Sequence, residues 1–328
     1  MQEHTIISLI ISNSNHGFMR IIDLHEDFGI SSSTENTFTE TTQSSITTLK
    51  KYGDTTIFSA IYPFHRVWSK TIEAFTKNGK PMDFTWVPDQ IAVSHQANFY
   101  SLLKHKNIVN FVLKKGDLKG ENTKFLISIE GADTLADPTD VYSLFDLGVR
   151  CIGFTWNYDN KYAASCYSKK DYGLTGAGEE LVDLCNDLGI IVDTAHTSRQ
   201  TTLDICEYSK KPVIMTHTNI RRLYDHPRNA DDEMIEGIHS THGIIGISGI
   251  AEMLSPNPTA DDMIKNINYL GENFGWDIVA IGSDFLGMRG GTNGFTSFSD
   301  ISKLAESVKQ PELLLHANAE RVIRTVLK

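Results

Sequence analysis

The recurrence of short runs rich in Ile, Val, Leu and Phe most constrains what this 328-residue chain can fold into. Several runs are almost continuously apolar, which is typical of strands buried on both faces of a parallel sheet. Eight runs are predicted as strands, at residues 20–25, 55–62, 125–130, 150–155, 189–194, 212–216, 243–248 and 278–283.

Helical periods fill most of the gaps between these runs. Thr175 and Ser198 are placed to cap two of the helices, and Gly189 is placed to end the first of them. The long gap between the second and third strands is predicted to hold an extra helix around residues 88–106. Strand and helix repeated eight times predict an α/β fold, a (β/α)8 TIM barrel with a helical insertion after the second strand. A doubly wound open sheet uses the same alternation and is the structural alternative.

The length alone would allow two domains, but one barrel with insertions accommodates it. We therefore predict a single barrel domain over residues 19–328. Residues 1–18 precede the first strand, carry no motif and are predicted to be an N-terminal extension.

Charge and cysteine usage exclude several classes of protein. Thirty basic and 41 acidic residues give a net charge of −11, which argues against a nucleic-acid partner. No apolar run approaches the roughly 18 residues that a membrane span needs. The four cysteines form no CxxC pair. We expect reduced, mostly buried cysteines in a cytoplasmic protein.

Metal-binding residue types follow five of the predicted strands. The active sites of barrels are built at the carboxyl ends of the strands, and His and carboxylate side chains there are ligands for Zn²⁺. Residues two apart on an extended chain point the same way, so His25 and Asp27 can reach one metal, and Asp23 is expected to orient His25. The candidates at these ends are Asp23, His25, Asp27, Glu130, His196, His217 and Asp284.

Ordered motifs then run along nearly the whole chain, from residue 21 to residue 326, and together they resemble the membrane dipeptidase (renal dipeptidase) family of zinc peptidases in the amidohydrolase superfamily. Each motif alone is weak, whereas all of them in order are specific. They are D-x-H-x-D from Asp23 to Asp27, E-G at Glu130, L-G-V-R through T-W-N from Leu147 to Asn157, G-L-T-x-x-G from Gly173, D-T-A-H-T-S from Asp193, the segment from Pro212 to His217, R-N at Arg228 and N-x-x-R from Asn318.

The resemblance implies a metal-dependent hydrolase barrel with two Zn²⁺ ions per chain, and it also implies a homodimer. In that family the first zinc would be held by His25 and Asp27, and the second by His196 and His217. Glu130 would bridge the two ions and Asp284 would be the catalytic acid/base. Arg228 would hold the terminal carboxylate of the substrate, and Trp156 and Asn157 would line the substrate site.

Two positions depart from the family pattern. Trp156 stands where some members have a histidine, in T-H-N, and Leu286 stands where the family has the second aspartate of G-D-F-D-G. Arg228 also has a simpler interpretation, as a loop arginine that pairs with Asp231 or Asp232 at a helix start.

The sequence therefore predicts an enzyme, a zinc-dependent dipeptidase. A metal-bridging water is the expected nucleophile, and Asp284 would carry its proton to the leaving nitrogen. One alternative is a metal-dependent barrel hydrolase that acts on another amide, a lactone or an ester. The other is a non-catalytic metal-binding barrel.

Overall fold

The structure is a computed structural model, and it describes residues 19–31, 35–40, 43–68, 76–77, 80–81 and 84–328. The predicted extension at residues 1–18 lies outside the described residues. Within the described part of the chain, no helix combines the length and apolarity that crossing a membrane requires.

Thirteen strands lie in the described residues, and eight of them form a closed parallel barrel. Around the barrel the order is β1, β2, β8, β9, β10, β11, β12 and β13, and β13 pairs with β1. Closure confirms the predicted TIM barrel and excludes the open sheet. The strands are β1 (Ile21–Glu26), β2 (Thr55–Ile61), β3 (Phe64–Trp68), β4 (Thr76–Lys77), β5 (Lys80–Pro81), β6 (Phe84–Pro88), β7 (Asn110–Phe111), β8 (Thr123–Ile129), β9 (Val149–Gly153), β10 (Ile191–Asp193), β11 (Val213–Thr218), β12 (Ile244–Ile247) and β13 (Val279–Ile281).

Helices connect the strands, and the predicted caps are found. Thr175 accepts a hydrogen bond from the Gly178 amide and Ser198 accepts one from the Thr201 amide, while Gly189 ends its helix in the left-handed region. The α-helices span Phe28–Ser31, Ile46–Tyr52, Gln90–His105, Val141–Asp146, Gly176–Leu188, Arg199–Tyr208, Asp232–Ser240, Ala260–Asn273, Asp300–Glu306 and Asn318–Val326.

The segment between β2 and β8 contains more than the predicted helix. That helix, Gln90–His105, buries Tyr100 and Leu103 in the layer between the barrel and its helices. Before it, β3 and β6 form an antiparallel ribbon that the sequence analysis did not predict. The ribbon begins just after β2 and therefore lies at the carboxyl end of the barrel.

The barrel interior is packed with apolar side chains, including Ile22, Phe58, Leu126 and Ile214. Side chains of the helix Asn318–Val326 join this cluster. As expected, the cysteines are free; Cys151, Cys185 and Cys206 are buried and Cys166 is partly buried. Because the interior is filled, polar chemistry is confined to the ends of the barrel.

Candidate functional site

Six predicted site residues meet at the carboxyl end of the barrel. Each of the six residues is at most 8% exposed. They come from five different barrel strands, and each lies at the end of its strand or within three residues of it. They are His25 and Asp27 from β1, Glu130 from β8, His196 from β10, His217 from β11 and Asp284 from β13.

Glu130 lies between two groups of potential ligands. Its Oε1 atom is 2.8 Å from His196 Nε2, 3.5 Å from His217 Nε2 and 3.9 Å from His25 Nε2. Three overlapping groups of the described residues could hold a metal ion: Glu130, His196 and His217; His25, Asp27 and Glu130; and His25, His217 and Asp284. The first two groups contain the five residues that the sequence analysis proposed as ligands.

Hydrogen bonds at Nδ1 fix the tautomers of His196 and His217. His196 Nδ1 lies 2.8 Å from Asn157 Oδ1, an oxygen that can only accept, so the ring donates from Nδ1. Thr216 donates its hydroxyl proton to Asp193 and therefore accepts from His217 Nδ1, which is 2.9 Å away. In both rings Nε2 consequently carries a lone pair, which is the form that binds a metal.

The arrangement of these lone pairs fits a cation. His196 Nε2 and His217 Nε2 are 3.0 Å apart, and both face the Glu130 carboxylate. Three electron-pair donors at this separation repel one another unless a positive charge lies among them. Ligand atoms about 2.0–2.2 Å from one ion lie roughly 3 Å from each other, so this donor set suits Zn²⁺ or a similar divalent ion.

The second group is rich in carboxylates. His25 Nε2 lies 3.5 Å from Asp27 Oδ2 and 3.6 Å from Asp284 Oδ1. His25 Nε2 and Asp27 Oδ1 are among the buried polar atoms of the described residues that have no hydrogen-bond partner. Such atoms are costly to bury, so two of them beside the Glu130 carboxylate fit a position for a ligand.

The pKa values reflect the crowding of charge in a buried site. Burial lowers the pKa of both His196 and His217 well below the ordinary range and raises the pKa of Glu130 well above it. Burial also raises the pKa of Asp284, to about 7. For His25, burial lowers the pKa, but the neighbouring carboxylates of Asp27, Glu130 and Asp284 outweigh it and raise the value to about 10.

Backbone strain is concentrated in the same place. His196 and Asp284 have φ angles of 69° and 66°, in the left-handed region that few side chains adopt. Leu286, the departure noted above, has φ 72°. Gln43 stabilises this turn, since its side chain accepts from the Leu286 amide at 2.7 Å and donates to the Met288 carbonyl at 3.3 Å.

Arg228 is buried beside the two histidines without a carboxylate partner. One of its guanidinium nitrogens lies 3.5 Å from the His217 carbonyl, and no carboxylate of the described residues is within ion-pair distance. Asp231 pairs instead with Arg199, and Asp232 with Arg222. The simpler interpretation of Arg228, as a partner of these aspartates, is therefore wrong.

Two predicted substrate contacts lie at the edge of the site. The Trp156 ring is 6.2 Å from the His196 ring. Asn157 is the hydrogen-bond partner of His196, so its contact with a substrate stays a prediction. Asp23 contacts His25 through the backbone, because its Oδ1 accepts from the amides of His25 and Ser283, so its role in orienting the imidazole stays a prediction.

The sequence analysis missed three residues that support the site. Asp193 and Thr216 orient His217, and Gln43 holds the turn after Asp284. Asp193 and Thr216 lie within the quoted motifs, and their positions, three residues before His196 and one before His217, were an available signal. Gln43 has no such signal, because it comes from a Ser- and Thr-rich segment far away in the sequence.

Comparisons with known proteins identify the family of this chain. The sequence profile of the membrane dipeptidase family, peptidase family M19, matches residues 16–327. An uncharacterized dipeptidase of Schizosaccharomyces pombe is 28% identical over 80% of this chain, and a dipeptidase of Clonostachys rogersoniana is 32% identical over 56% of it. The alignments span 64% and 49% of these relatives' own lengths.

Solved structures share the fold. A metallo peptidase from Rhodobacter sphaeroides superposes with a TM-score of 0.78 at 21% identity, covering 94% of this chain and 99% of that one. A probable dipeptidase from Pseudomonas aeruginosa gives 0.78 at 17% identity, covering 99% and 98%. Since the family profile covers almost the entire chain, including every residue of the metal-ligand groups, the chain belongs to the membrane dipeptidase family of metallopeptidases.

Proposed function

We propose that this protein is a zinc-dependent dipeptidase that uses two metal ions. The observation that carries the proposal is the position of Glu130, whose carboxylate belongs to two of the three candidate ligand groups, those formed by the five predicted ligands. His25 and Asp27 would hold one Zn²⁺ ion, His196 and His217 the other, and Glu130 both. A single carboxylate shared by two sites is a simple way to hold two ions close together.

The chemistry of such a centre divides between the metals and the protein. Two zinc ions would supply a water nucleophile that ionises near neutral pH and would polarise the peptide carbonyl. Asp284 is the proposed proton carrier: its carboxyl lies 3.6 Å from His25 Nε2, and its pKa is raised to about 7 by burial. A group with a pKa near the working pH can accept a proton from the nucleophile and return it to the leaving nitrogen.

Arg228 provides the argument for dipeptides over other substrates. A guanidinium binds a carboxylate through two parallel hydrogen bonds, and here it is buried near His217 with no competing carboxylate. If it holds the C-terminal carboxylate, only one residue separates that carboxylate from the scissile carbonyl. The Rhodobacter sphaeroides relative was crystallised with a phosphinate mimic of the dipeptide L-Ala-D-Ala, which supports the same substrate class here.

The alternatives use the same metal ligands. A lactone or an ester lacks a free carboxylate at the distance that Arg228 would select, so those substrates leave the buried guanidinium unexplained. A non-catalytic barrel would not need Asp284 in a strained conformation beside the ligands.

Substrate profiling with zinc-reconstituted protein tests the proposal. We expect free-acid dipeptides to be hydrolysed, and C-terminally amidated dipeptides and tripeptides to be poor substrates. Preferential hydrolysis of a lactone or ester, with no turnover of dipeptides, would favour the alternative hydrolase. Tight zinc binding without turnover of any substrate in the panel would favour the non-catalytic barrel.

A further inference from the structure

Five aromatic side chains form a continuous cluster beside the metal centre, and we call them the aromatic cluster. Trp156 is its central member. The Trp156 ring lies 5.1 Å from Phe64, 5.2 Å from Tyr62, 5.4 Å from Tyr158 and 6.2 Å from Trp86, measured between ring centroids. These spacings are typical of aromatic pairs that stabilise each other.

The cluster is assembled from three separate segments. Tyr62 follows β2, Phe64 and Trp86 lie on opposite strands of the ribbon formed by β3 and β6, and Trp156 and Tyr158 follow β9. Tyr62 and Phe64 are buried, whereas the other three rings are partly exposed. The exposed rings therefore present an apolar surface, supported from below by buried aromatic side chains.

This surface adjoins the candidate metal ligands. The Trp156 ring is 6.2 Å from the ring of His196. Burial raises the pKa of the Tyr62 phenol, and the nearby carboxylates of Glu130 and Asp27 raise it further, in keeping with a position next to both ligand groups. An apolar group bound against Trp156 would thus lie beside the metal centre.

Part of the aromatic cluster lies across the barrel from Arg228. In the closed order, β2 and β11 are diametrically opposite, with three strands between them in either direction. Tyr62 follows β2 and Arg228 lies in the loop after β11, whereas Trp156 and Tyr158 follow β9, which β10 separates from β11. A dipeptide that places its C-terminal carboxylate at Arg228 and its peptide bond over the metal ligands would direct its N-terminal residue toward the cluster.

We propose that the aromatic cluster binds the side chain of the substrate's N-terminal residue and selects aromatic and large aliphatic side chains there. This inference rests on the proposed dipeptidase function and names its substrate class. Burying an apolar side chain against these rings is favourable at roughly 25 cal/mol per Å². A charged side chain at the same place would lose water without gaining a partner among the five rings.

Two dipeptide series measured on the zinc-reconstituted full chain test the inference. One varies the first residue before alanine (Phe, Leu, Ala, Asp), and the other varies the second residue after alanine. We expect kcat/KM for Phe-Ala and Leu-Ala to exceed that for Ala-Ala and Asp-Ala by about tenfold or more, with a smaller spread in the second series. A preference confined to the second residue would overturn the inference.

Trp86 provides the test by substitution, because it is the ring of the cluster farthest from Trp156. Trp86→Ala should reduce the ratio of kcat/KM for Phe-Ala to that for Ala-Ala by about fivefold or more, and Trp86→Phe should restore most of it. Tyr142→Ala is the matched control, since Tyr142 is 50% exposed on the helix Val141–Asp146 and should leave the ratio unchanged.

The outcomes separate this inference from the proposed function. An equal loss for both substrates in Trp86→Ala would show that the ring only packs the ribbon against the barrel, and would overturn the inference. Hydrolysis of all dipeptides without preference at the first residue would overturn the inference alone. If no dipeptide is hydrolysed, the proposed function fails and the inference fails with it.

Discussion

Both ends of the barrel bury charged side chains, but the two ends balance these charges differently. At the amino end, the fully buried Lys124 donates to Asp54 at 2.7 Å and to the Gly120 and Asn122 carbonyls at 2.6 and 3.1 Å. Each hydrogen of this ammonium group therefore has an acceptor. Arg20 adds ion pairs with Asp54 and Glu320.

At the carboxyl end, three carboxylates share a single imidazole. The carboxylates of Asp27, Glu130 and Asp284 all lie within 4 Å of His25 Nε2, and the guanidinium of Arg228 has no carboxylate partner in the described part of the chain. The amino end uses its charges to stabilise the fold, whereas the carboxyl end holds charges that the proposed metal ions and substrate would balance.

The largest expected effect comes from Asp284→Asn at the carboxyl end. The amide matches the carboxylate in shape but cannot accept a proton, so we expect kcat for dipeptides to fall by about 10²–10⁴-fold. Metal content, measured on the same preparation, should stay at the wild-type value. Wild-type turnover in this variant would remove Asp284 from the proposed mechanism.

Lys124→Met should have the opposite effect: it should lower the stability of the fold and not the catalytic activity. Removing the ammonium group leaves Asp54 with Arg20 as its remaining partner and the Gly120 carbonyl without a donor, while the Asn122 carbonyl keeps the Thr55 amide. We expect the free energy of unfolding to fall by about 3 kcal/mol, measured by denaturant titration. Lys265→Met is the control, because the exposed pair with Asp262 should contribute less than about 1 kcal/mol. If both variants lose equally little, the amino end does not stabilise the fold as described.

Arg228→Lys sharpens the comparison at the substrate side of the site. Lysine keeps the charge but cannot form two parallel hydrogen bonds to a carboxylate. The expected loss in kcat/KM for free-acid dipeptides is about 10- to 100-fold. Arg222→Lys, at an exposed arginine paired with Asp232, should have little effect. A wild-type kcat/KM in Arg228→Lys would mean that Arg228 does not bind the substrate.

The smallest effect concerns the stability of metal-free protein. The pKa of Asp284 is about 7 in the fold and 3.8 in the reference state, so the folded state binds the proton more tightly. Asp284 therefore destabilises the fold increasingly as pH rises from about 4 through 7. In the presence of a chelator, the free energy of unfolding of Asp284→Asn should rise by about 1–2 kcal/mol relative to that of the wild type between pH 5 and pH 8. A difference in melting temperature that does not change with pH would contradict this.

The barrel strands were predictable because their apolar runs are continuous and their ends carry distinctive residues. The ligand positions followed from the same rule, since His25, His196 and His217 each sit at or just after a strand end. The ribbon of β3 and β6 was not predictable in this way. Its strands, FHRVW and FTWVP, mix aromatic, polar and aliphatic residues without a regular alternation, and the packing of Phe64 and Trp86 against Trp156 is visible only in the fold.

Contacts between segments distant in the sequence were also out of reach. Nothing near Gln43 indicates that it would bond to the turn at Leu286, more than 240 residues away. The absence of an ion-pair partner for Arg228 among the described residues could not be predicted from the sequence either. Its neighbours in the sequence suggested Asp231 or Asp232 as partners, and only the fold shows that Arg199 and Arg222 take them.

Counting the metal ions tests the central claim most directly. Elemental analysis of protein reconstituted with zinc and freed of excess metal should give about two equivalents per chain, because Glu130 belongs to two ligand groups at once. A value near zero that reconstitution cannot raise would contradict the account. A value that stays at one equivalent would contradict the sharing of Glu130 between two ions.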